Sequence, residues 1–312
     1  MRLPRTARRT QSAIPPVGAS GSDQNSDVDI LGQYRANREA PGDADRRFVH
    51  STHDVPFAVD TSDLIQRSLA VFGRWEPEVN SLIKYLLGPR DTFVDIGANI
   101  GYHALTVAAT RPKTAVVAIE PFPRTFAALV QNIQGSGFDN IRAVSACIDE
   151  APGRRTLHLP RETNLGGATL YPRDDDPTAE QHEVDCTTVD DVLTAAEIAS
   201  TRLVKIDVEG AELTVLRSLD RCISTMRDDL ELVIEVNPHW LSADDIDEIF
   251  AMTTRWGFRS MFVVDDGYCL EALKARPEQY FAALLQTRPL HQANLLLSRT
   301  ASTFRVWPRG LS

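Results

Sequence analysis

Acidic residues and glycines recur in this chain where β-rich runs give way to helical patterns. Asp95-Ile96-Gly97-Ala98-Asn99-Ile100-Gly101 closes one such run and opens a helix. Gly97 lets the chain turn sharply, and its missing side chain admits a ligand close to the backbone. Gly101 permits close helix–strand approach, and Asn99 is placed to cap the helix. The G-x-N-x-G spacing is not the G-x-G-x-x-G that cradles a pyrophosphate. Asp95 suits a ligand bearing an ammonium group and would repel a pyrophosphate. The next run ends at Ile119-Glu120-Pro121, with Glu120 23 positions after Gly97. A carboxylate accepts ribose hydroxyls at an offset of ~20 residues. Asp149 closes a third run, where a carboxylate could accept the exocyclic amine of adenine. Ribose, adenine and an amino-acid head without phosphates describe S-adenosylmethionine.

A second constellation lies in Lys205-Ile206-Asp207-Val208-Glu209-Gly210-Ala211-Glu212 and in Glu235-Val236-Asn237-Pro238-His239. Asp207 and Glu235 fall at the ends of neighbouring strands. Methyl transfer asks for an acceptor aligned with the methyl group and made nucleophilic. A carboxylate, a histidine or a metal can take the proton of an acceptor hydroxyl. Asp207, Glu209, Glu235 and His239 are therefore the candidate catalytic residues. Asp207, Glu235 and Asn237 offer hard oxygen ligands that suit Mg²⁺ with waters and a substrate diol. The simpler alternatives stay open. Glu209 and Glu212 favour a helix N-terminal dipole, Lys205 could pair with Asp207, and His239 reads equally as a surface histidine. His103 lines the pocket or a helix face.

The elements that must hold these residues alternate. Strand signals at 92–96, 115–119, 141–144, 203–207, 230–235, 260–264 and 293–297 are separated by helical patterns at 101–110, 122–134, 211–219 and 243–256. Such alternation means a doubly wound α/β sheet whose parallel strands need helical crossovers. Ligands then bind beyond the C-terminal strand ends at the switch in strand order. Residues 1–45 read as a disordered tail, 46–90 as an N-terminal helical arm or cap and 91–300 as the main domain. The segment from about 150 to 200 breaks the rhythm and is a candidate lid, and 301–312 reads as a second tail. The loop at 172–177 and the turn Asp265-Asp266-Gly267 are surface features.

The chain resembles the FkbM-type S-adenosylmethionine-dependent methyltransferases over roughly residues 66–300. The resemblance is carried by Phe93–His103, by Ala118-Ile119-Glu120-Pro121-Phe122-Pro123 and above all by Val204–Glu212. Gly73-Arg74-Trp75-Glu76-Pro77, Asn164-Leu165-Gly166-Gly167 and Asn294-Leu295-Leu296-Leu297 support it. It implies a class I methyltransferase, Rossmann-like, with a mostly parallel seven-stranded sheet and an antiparallel last strand. It also implies methyl transfer, with Asp95, Gly97, Ala98, Asn99, Gly101, Glu120, Pro121, Asp149 and Asp207 about the cofactor. O-methylation of a small molecule, sugar or secondary metabolite leads. N-methylation, a nicotinamide-dependent oxidoreductase and a non-catalytic cofactor-binding module are the alternatives.

Composition narrows the partners. A formal net charge of −10 disfavours nucleic acid. The segment Lys205–Phe250 holds 12 Asp and Glu against 4 Lys and Arg, which suits a neutral, polyol, cationic or metal-bridged acceptor. A small-molecule or glycosyl acceptor and a second copy of the chain are the expected partners. Cys147, Cys186, Cys222 and Cys269 are far apart in sequence and read as separate reduced thiols. No apolar run approaches the ~20 residues of a spanning helix, and Arg2, Arg5, Arg8 and Arg9 lead into no apolar segment, so the expected place is the cytoplasm.

Overall fold

The computed structural model describes residues 46–159, 165–171, 180–265, 283–284, 289 and 291–300. The expected tails at 1–45 and 301–312, Asn164, the loop at 172–177, and Asp266, Gly267 and Cys269 lie outside the described residues.

The arm does not begin as a helix. β1 (Arg46–His50) and β2 (Pro56–Asp60) pair as an antiparallel hairpin. Phe57 and Val59 are buried on alternate positions of β2, the period-two signal of a half-buried strand. α1 (Leu64–Phe72) follows, started by the Asp63 side chain accepting the Gln66 N–H and ended by left-handed Gly73. The other Asp63 oxygen accepts the Leu165 N–H at 2.7 Å. α2 (Pro77–Leu86) has proline in its first turn, where no N–H is needed, and buries Val79, Leu82, Ile83 and Leu86.

The main domain runs β3 (Thr92–Ile96), α3 (Tyr102–Thr110), β4 (Ala115–Ile119), α4 (Pro123–Ser136), β5 (Ile141–Val144), β6 (Cys147–Ile148), β7 (Gly153–Leu159) and β8 (Glu180–Thr187). It continues with α5 (Val189–Val192), α6 (Ala195–Ser200), β9 (Thr201–Ile206), α7 (Glu212–Leu219), β10 (Glu231–Val236), α8 (Ala243–Arg255), β11 (Ser260–Asp265), β12 (Ala283–Leu284) and β13 (Ala293–Ser298). The main sheet has the order β12-β11-β13-β10-β9-β3-β4-β5. β13 runs antiparallel to both β10 and β11, as expected of the last strand. The two-residue β12 adds an eighth strand at the β11 edge. The strand order reverses between β3 and β9, which places the ligand crevice there.

β3, β9 and β10 are almost wholly buried because helices cover both faces. Val94, Ile96, Val204, Ile206, Leu232 and Ile234 pack in one core with α7 and α8. Phe93, Leu203, Val233 and Leu296 pack in the other, under α2 and α3. Register carries that second face to the strand ends: Asp95 lies opposite Lys205, and Glu235 opposite Asn294. Each is two residues from one of these apolar positions, so all four point to the α2–α3 side.

The insertion forms a small separate sheet, β6-β8-β7. It brings Cys147 opposite Cys186 in one ladder, both buried and with no disulfide between them, as reduced thiols. Among the described residues no helix is long and apolar enough to cross a membrane.

Candidate active site

A cavity of about 280 Å³ opens at the C-terminal ends of β3, β4 and β9. Of the candidate residues, Gly97, Ala98, Asn99, Glu120, Pro121, Asp207, Glu209 and His239 line it. Asp95, Gly101, Asp149, Glu235 and Asn237 are not on its wall.

The turn after β3 is built by contacts between strands. Gly97 has φ 86°, and a Cβ there would lie 1.8 Å from the Asp207 carbonyl oxygen. The Asp207 N–H donates to the Ile96 carbonyl at 3.0 Å. Gly97 is therefore required by the neighbouring strand end, in addition to any ligand. Gly101 has φ 90° and allows Leu105 of α3 and Leu129 of α4 to pack against it, an approach of two helices and not of a helix and a strand. Asn99 does not cap α3; it is left-handed (φ 52°), and its N–H donates to Glu120 Oε2 at 2.8 Å.

Glu120 holds the turn and the following helix together. Its other oxygen accepts the Phe122 N–H at 2.9 Å and the Thr125 hydroxyl at 2.7 Å. Burial pushes its carboxyl above the ordinary range, and these donors pull it back. A carboxylate has about four lone-pair sites, so capacity for a ribose hydroxyl remains. Asp149 is committed elsewhere: it pairs with Arg155 at 2.8 Å and accepts the Glu150 N–H. The backbone before it, Ala146, Cys147 and Ile148, supplies the cavity wall instead.

The rear wall is a buried charged platform. Lys205, 2% exposed, donates to Asp207 Oδ2 at 2.6 Å. Burial would lower its pKa, but the charges of Asp207, Glu76 and Asp95 outweigh burial and raise it. Asp95 stands beside Lys205 behind the wall, and burial pushes its carboxyl up. Glu76, from the loop before α2, reaches the cavity that Asp95 does not. Burial alone would raise Glu76, but Lys205 and the His103 hydrogen bond hold it down to about 2. Gln292 carries no local mark in the sequence, and Glu76 and Asn294 lie in matches that support the resemblance but show nothing of their place at the cavity. Glu76 lies 129 positions before Lys205 and Gln292 lies 87 after it, so only the pairing of distant strands and loops brings them in.

The loop Val208–Ala211 is folded by Glu212, which opens α7 and accepts the Val208 and Gly210 N–H groups. Burial pushes Glu212 up to about 7. Glu209 is left-handed (φ 53°) and turns its carboxyl into the cavity. Burial, with Asp207 and Glu212 nearby, pushes it up to about 8. Glu235 is raised well above its ordinary value, first by burial and then by Asp207 and Glu209.

Asp207, Glu209 and Glu235 can present oxygens within 4.8 Å of one another. Asn237 is off the cavity wall, and its side-chain oxygen accepts the His239 N–H at 3.0 Å. His239 is exposed, with its ring edge against Trp240.

A raised carboxyl loosens the fold as it ionises. The folded protein keeps the Glu209 proton up to about pH 8, whereas an unfolded chain releases it near pH 4.3. Stability therefore falls as pH rises through that window. Glu209→Gln keeps an oxygen for Trp240 and has no proton to lose. Its unfolding free energy from urea titration is expected to change less between pH 5.5 and 8.5 than that of the parent, and to exceed it at pH 8.5 by about 1–2 kcal/mol after solvent screening. Parallel pH profiles would refute this.

Residues 95–260, more than half of the chain, match the family model of the methyltransferase FkbM domain. The chain belongs to the FkbM methyltransferase family. It is 32% identical over 152 residues to methyltransferase 1 of Beauveria bassiana, covering 42% of this chain and 60% of that protein. It is 31% identical over 159 residues to 31-O-demethyl-FK506 methyltransferase FkbM of Streptomyces tacrolimicus, covering 43% and 61%. It is 27% identical over 151 residues to 2-O-methyltransferase NoeI of Sinorhizobium fredii, covering 43% and 60%. The match thus spans about three fifths of the length of these relatives. As an FkbM-family chain, it carries the Lys205–Glu212 run and the Asp95–Gly101 turn on touching strand ends.

Proposed function

We propose that this protein transfers a methyl group from S-adenosylmethionine to a hydroxyl of a small-molecule or glycosyl acceptor. The observation that carries the reading is the convergence of Gly97–Asn99, Glu120 and Asp207 on one cavity. Two relatives bear names that specify methylation at oxygen, which favours a hydroxyl acceptor. The donor set suits the cofactor: Glu120 for ribose, the apolar wall at Ala146 and Ile148 for adenine, and buried Glu76 for the amino-acid ammonium. When bound, the cofactor supplies an electrophilic methyl on a good leaving group. The chain's own task is to exclude water, orient the acceptor beside Asp207 and Glu209, and accept a proton.

A Mg²⁺-assisted version is favoured by the spacing of Asp207, Glu209 and Glu235. The Lys205 ammonium opposes it, because it already neutralises Asp207 at 2.6 Å and would repel a divalent ion beside it. We take the metal-free version as the leading one.

Calorimetric titration tests the reading. S-Adenosylhomocysteine is expected to bind in the micromolar range and NADH not at all, with EDTA changing neither affinity nor turnover. Asp207→Ala is expected to abolish turnover while circular dichroism stays that of the parent. NADH binding would favour the oxidoreductase alternative, and activity that EDTA removes and Mg²⁺ restores would favour the metal.

A further inference from the structure

Residues 165–171 of the insertion form a strap along the cavity, which Gly166, Gly167, Ala168 and Leu170 line. The start of the strap is tied to the arm, where the Leu165 N–H donates to Asp63 at 2.7 Å. Its other end is tied to the loop at 208–211. There the hydroxyl of Thr169, a residue 1% exposed, donates to the Glu209 carbonyl at 2.7 Å. Thr169 is itself held by two main-chain bonds with His158 of β7, at 2.8 and 3.0 Å.

The carbonyl that Thr169 holds belongs to the peptide joining Glu209 to Gly210, and that peptide is gripped at both ends. Its N–H donates to the two Glu212 oxygens at 3.2 and 3.1 Å. The grip matters because both residues have positive φ, 53° at Glu209 and 103° at Gly210. A left-handed residue other than glycine persists only where its surroundings enforce it. Glycine accepts either sign of φ, so this peptide plane is free to turn over once one end is released.

The Glu209 side chain moves with that plane. Its carboxyl faces the cavity and accepts the Trp240 indole N–H. Trp240 and Tyr171 both close on Gly210, where an added Cβ would lie 3.0 Å from the Trp240 Cβ and 3.4 Å from the Tyr171 ring. Three elements thus fix one peptide and its carboxyl: the strap, the start of α7 and the loop after β10.

We infer that Thr169 is a positioning residue for methyl transfer: its hydroxyl clamps the Glu209–Gly210 peptide and so aims the Glu209 carboxyl at the acceptor. The inference rests on the methyl-transfer reading and deepens it. Thr169 is not on the cavity wall, so it acts through Glu209 and not by touching a ligand.

The test combines spectroscopy with kinetics on the full chain. Indole ¹⁵N labelling gives one N–H signal for each of the 4 tryptophans, and Trp240→Phe assigns that of Trp240. Thr169→Val keeps the shape and loses the donor. It is expected to shift the Trp240 signal and speed its exchange with solvent, whereas Thr169→Ser keeps the parent signal. Methyl transfer to glycerol, used at high concentration as a simple hydroxyl probe, is expected to fall at least about tenfold in kcat for Thr169→Val and less than about twofold for Thr169→Ser. The KM for S-adenosylmethionine and the affinity for S-adenosylhomocysteine should stay within about threefold of the parent in both. Thr253→Val is the control, because the buried Thr253 hydroxyl also donates to a backbone carbonyl, that of Ile249 at 2.8 Å, away from the cavity. It should lose stability and keep the parent kcat.

A parent-like Trp240 signal in Thr169→Val, or a serine variant as impaired as the valine one, would overturn the inference. So would an equal loss of kcat in Thr253→Val, or a loss of cofactor affinity matching the whole loss of turnover. If the parent binds S-adenosylhomocysteine but leaves glycerol unmethylated, the indole signal decides alone: a shift in the valine variant and none in the serine variant supports the clamp, and any other pattern refutes it. Failure of the parent to bind S-adenosylhomocysteine would strike the methyl-transfer reading instead, and the same signal would still decide whether Thr169 aims Glu209.

Discussion

Lys205→Met is expected to cost about 3–5 kcal/mol of folding stability, the usual penalty for removing one partner of a buried ion pair. Methionine has nearly the length and volume of lysine, so the loss is not that of a cavity. It comes from Glu76, Asp95 and Asp207, which lose the ammonium beside them. Turnover should fall with it, because Asp207 loses the contact at 2.6 Å that aims it. The pH dependence identifies the cause. The stranded carboxylates escape by taking up protons, so the deficit should shrink as pH falls from 7 to 5. In the parent, Glu76 is held down to about 2. Its contribution is present above the ordinary glutamate value and is lost only as pH falls toward 2. A second substitution, Asp207→Asn on Lys205→Met, should recover part of the loss, since it removes one of the unpaired charges. Urea midpoints at pH 5 and 7 check all three variants. A deficit below about 1 kcal/mol, or one independent of pH, would show that Lys205 is a packing residue.

Gly97→Ala should be at least as severe. A methyl group cannot lie 1.8 Å from the Asp207 carbonyl oxygen, and the atom it meets is backbone, which cannot swing away. The positive φ of 86° adds strain for any L side chain. Relief requires the ends of β3 and β9 to separate, which breaks the Asp207 N–H bond to Ile96. We expect a loss of about 4 kcal/mol or more, in the range reserved for named defects such as this one. Any folded fraction should bind S-adenosylhomocysteine at least 100-fold more weakly. Gly137→Ala serves as a control, because it also has positive φ (71°) but nothing within 4 Å of the added Cβ. If the two variants have equal stability, backbone conformation alone explains Gly97 and the contact with Asp207 is unimportant.

These two sites show what the sequence can and cannot reveal. The sheet is legible because buried parallel strands and amphipathic crossovers write their period into consecutive residues. The strand at 141–144 and the seven-stranded plan follow from that, and so does the cavity position of Gly97, Glu120 and Asp207. The β1–β2 hairpin is legible too, in the alternation of Val55, Phe57 and Val59, which a helical reading of the arm overlooks. The direction of Asp95 is harder. Alternation puts it on the face of Lys205, but only the strand order shows that this face lies behind the wall. Gly97 reads as a ligand-facing residue because the sequence does not display a neighbour 110 positions away. The hydrogen bond from the His239 N–H to Asn237 is likewise invisible in the sequence, because it depends on how the loop after β10 turns.

The position of Glu76 bears on what counts as a transferable unit. The family signature begins at residue 95 and ends at 260, yet Glu76 precedes it and Asn294 follows it. Asn294 donates to Glu76, and Glu76 in turn holds His103, which lies inside. Asp63 likewise ties the start of α1 to the turn at Leu165. A graft or fragment cut at the signature would carry the cofactor turn and the carboxylates but leave the histidine without its orienting partner. For recombination between relatives, the useful breakpoints therefore lie before β1 and after β13. The signature is the mark by which the family is recognised, and the exchangeable module is the larger piece around it.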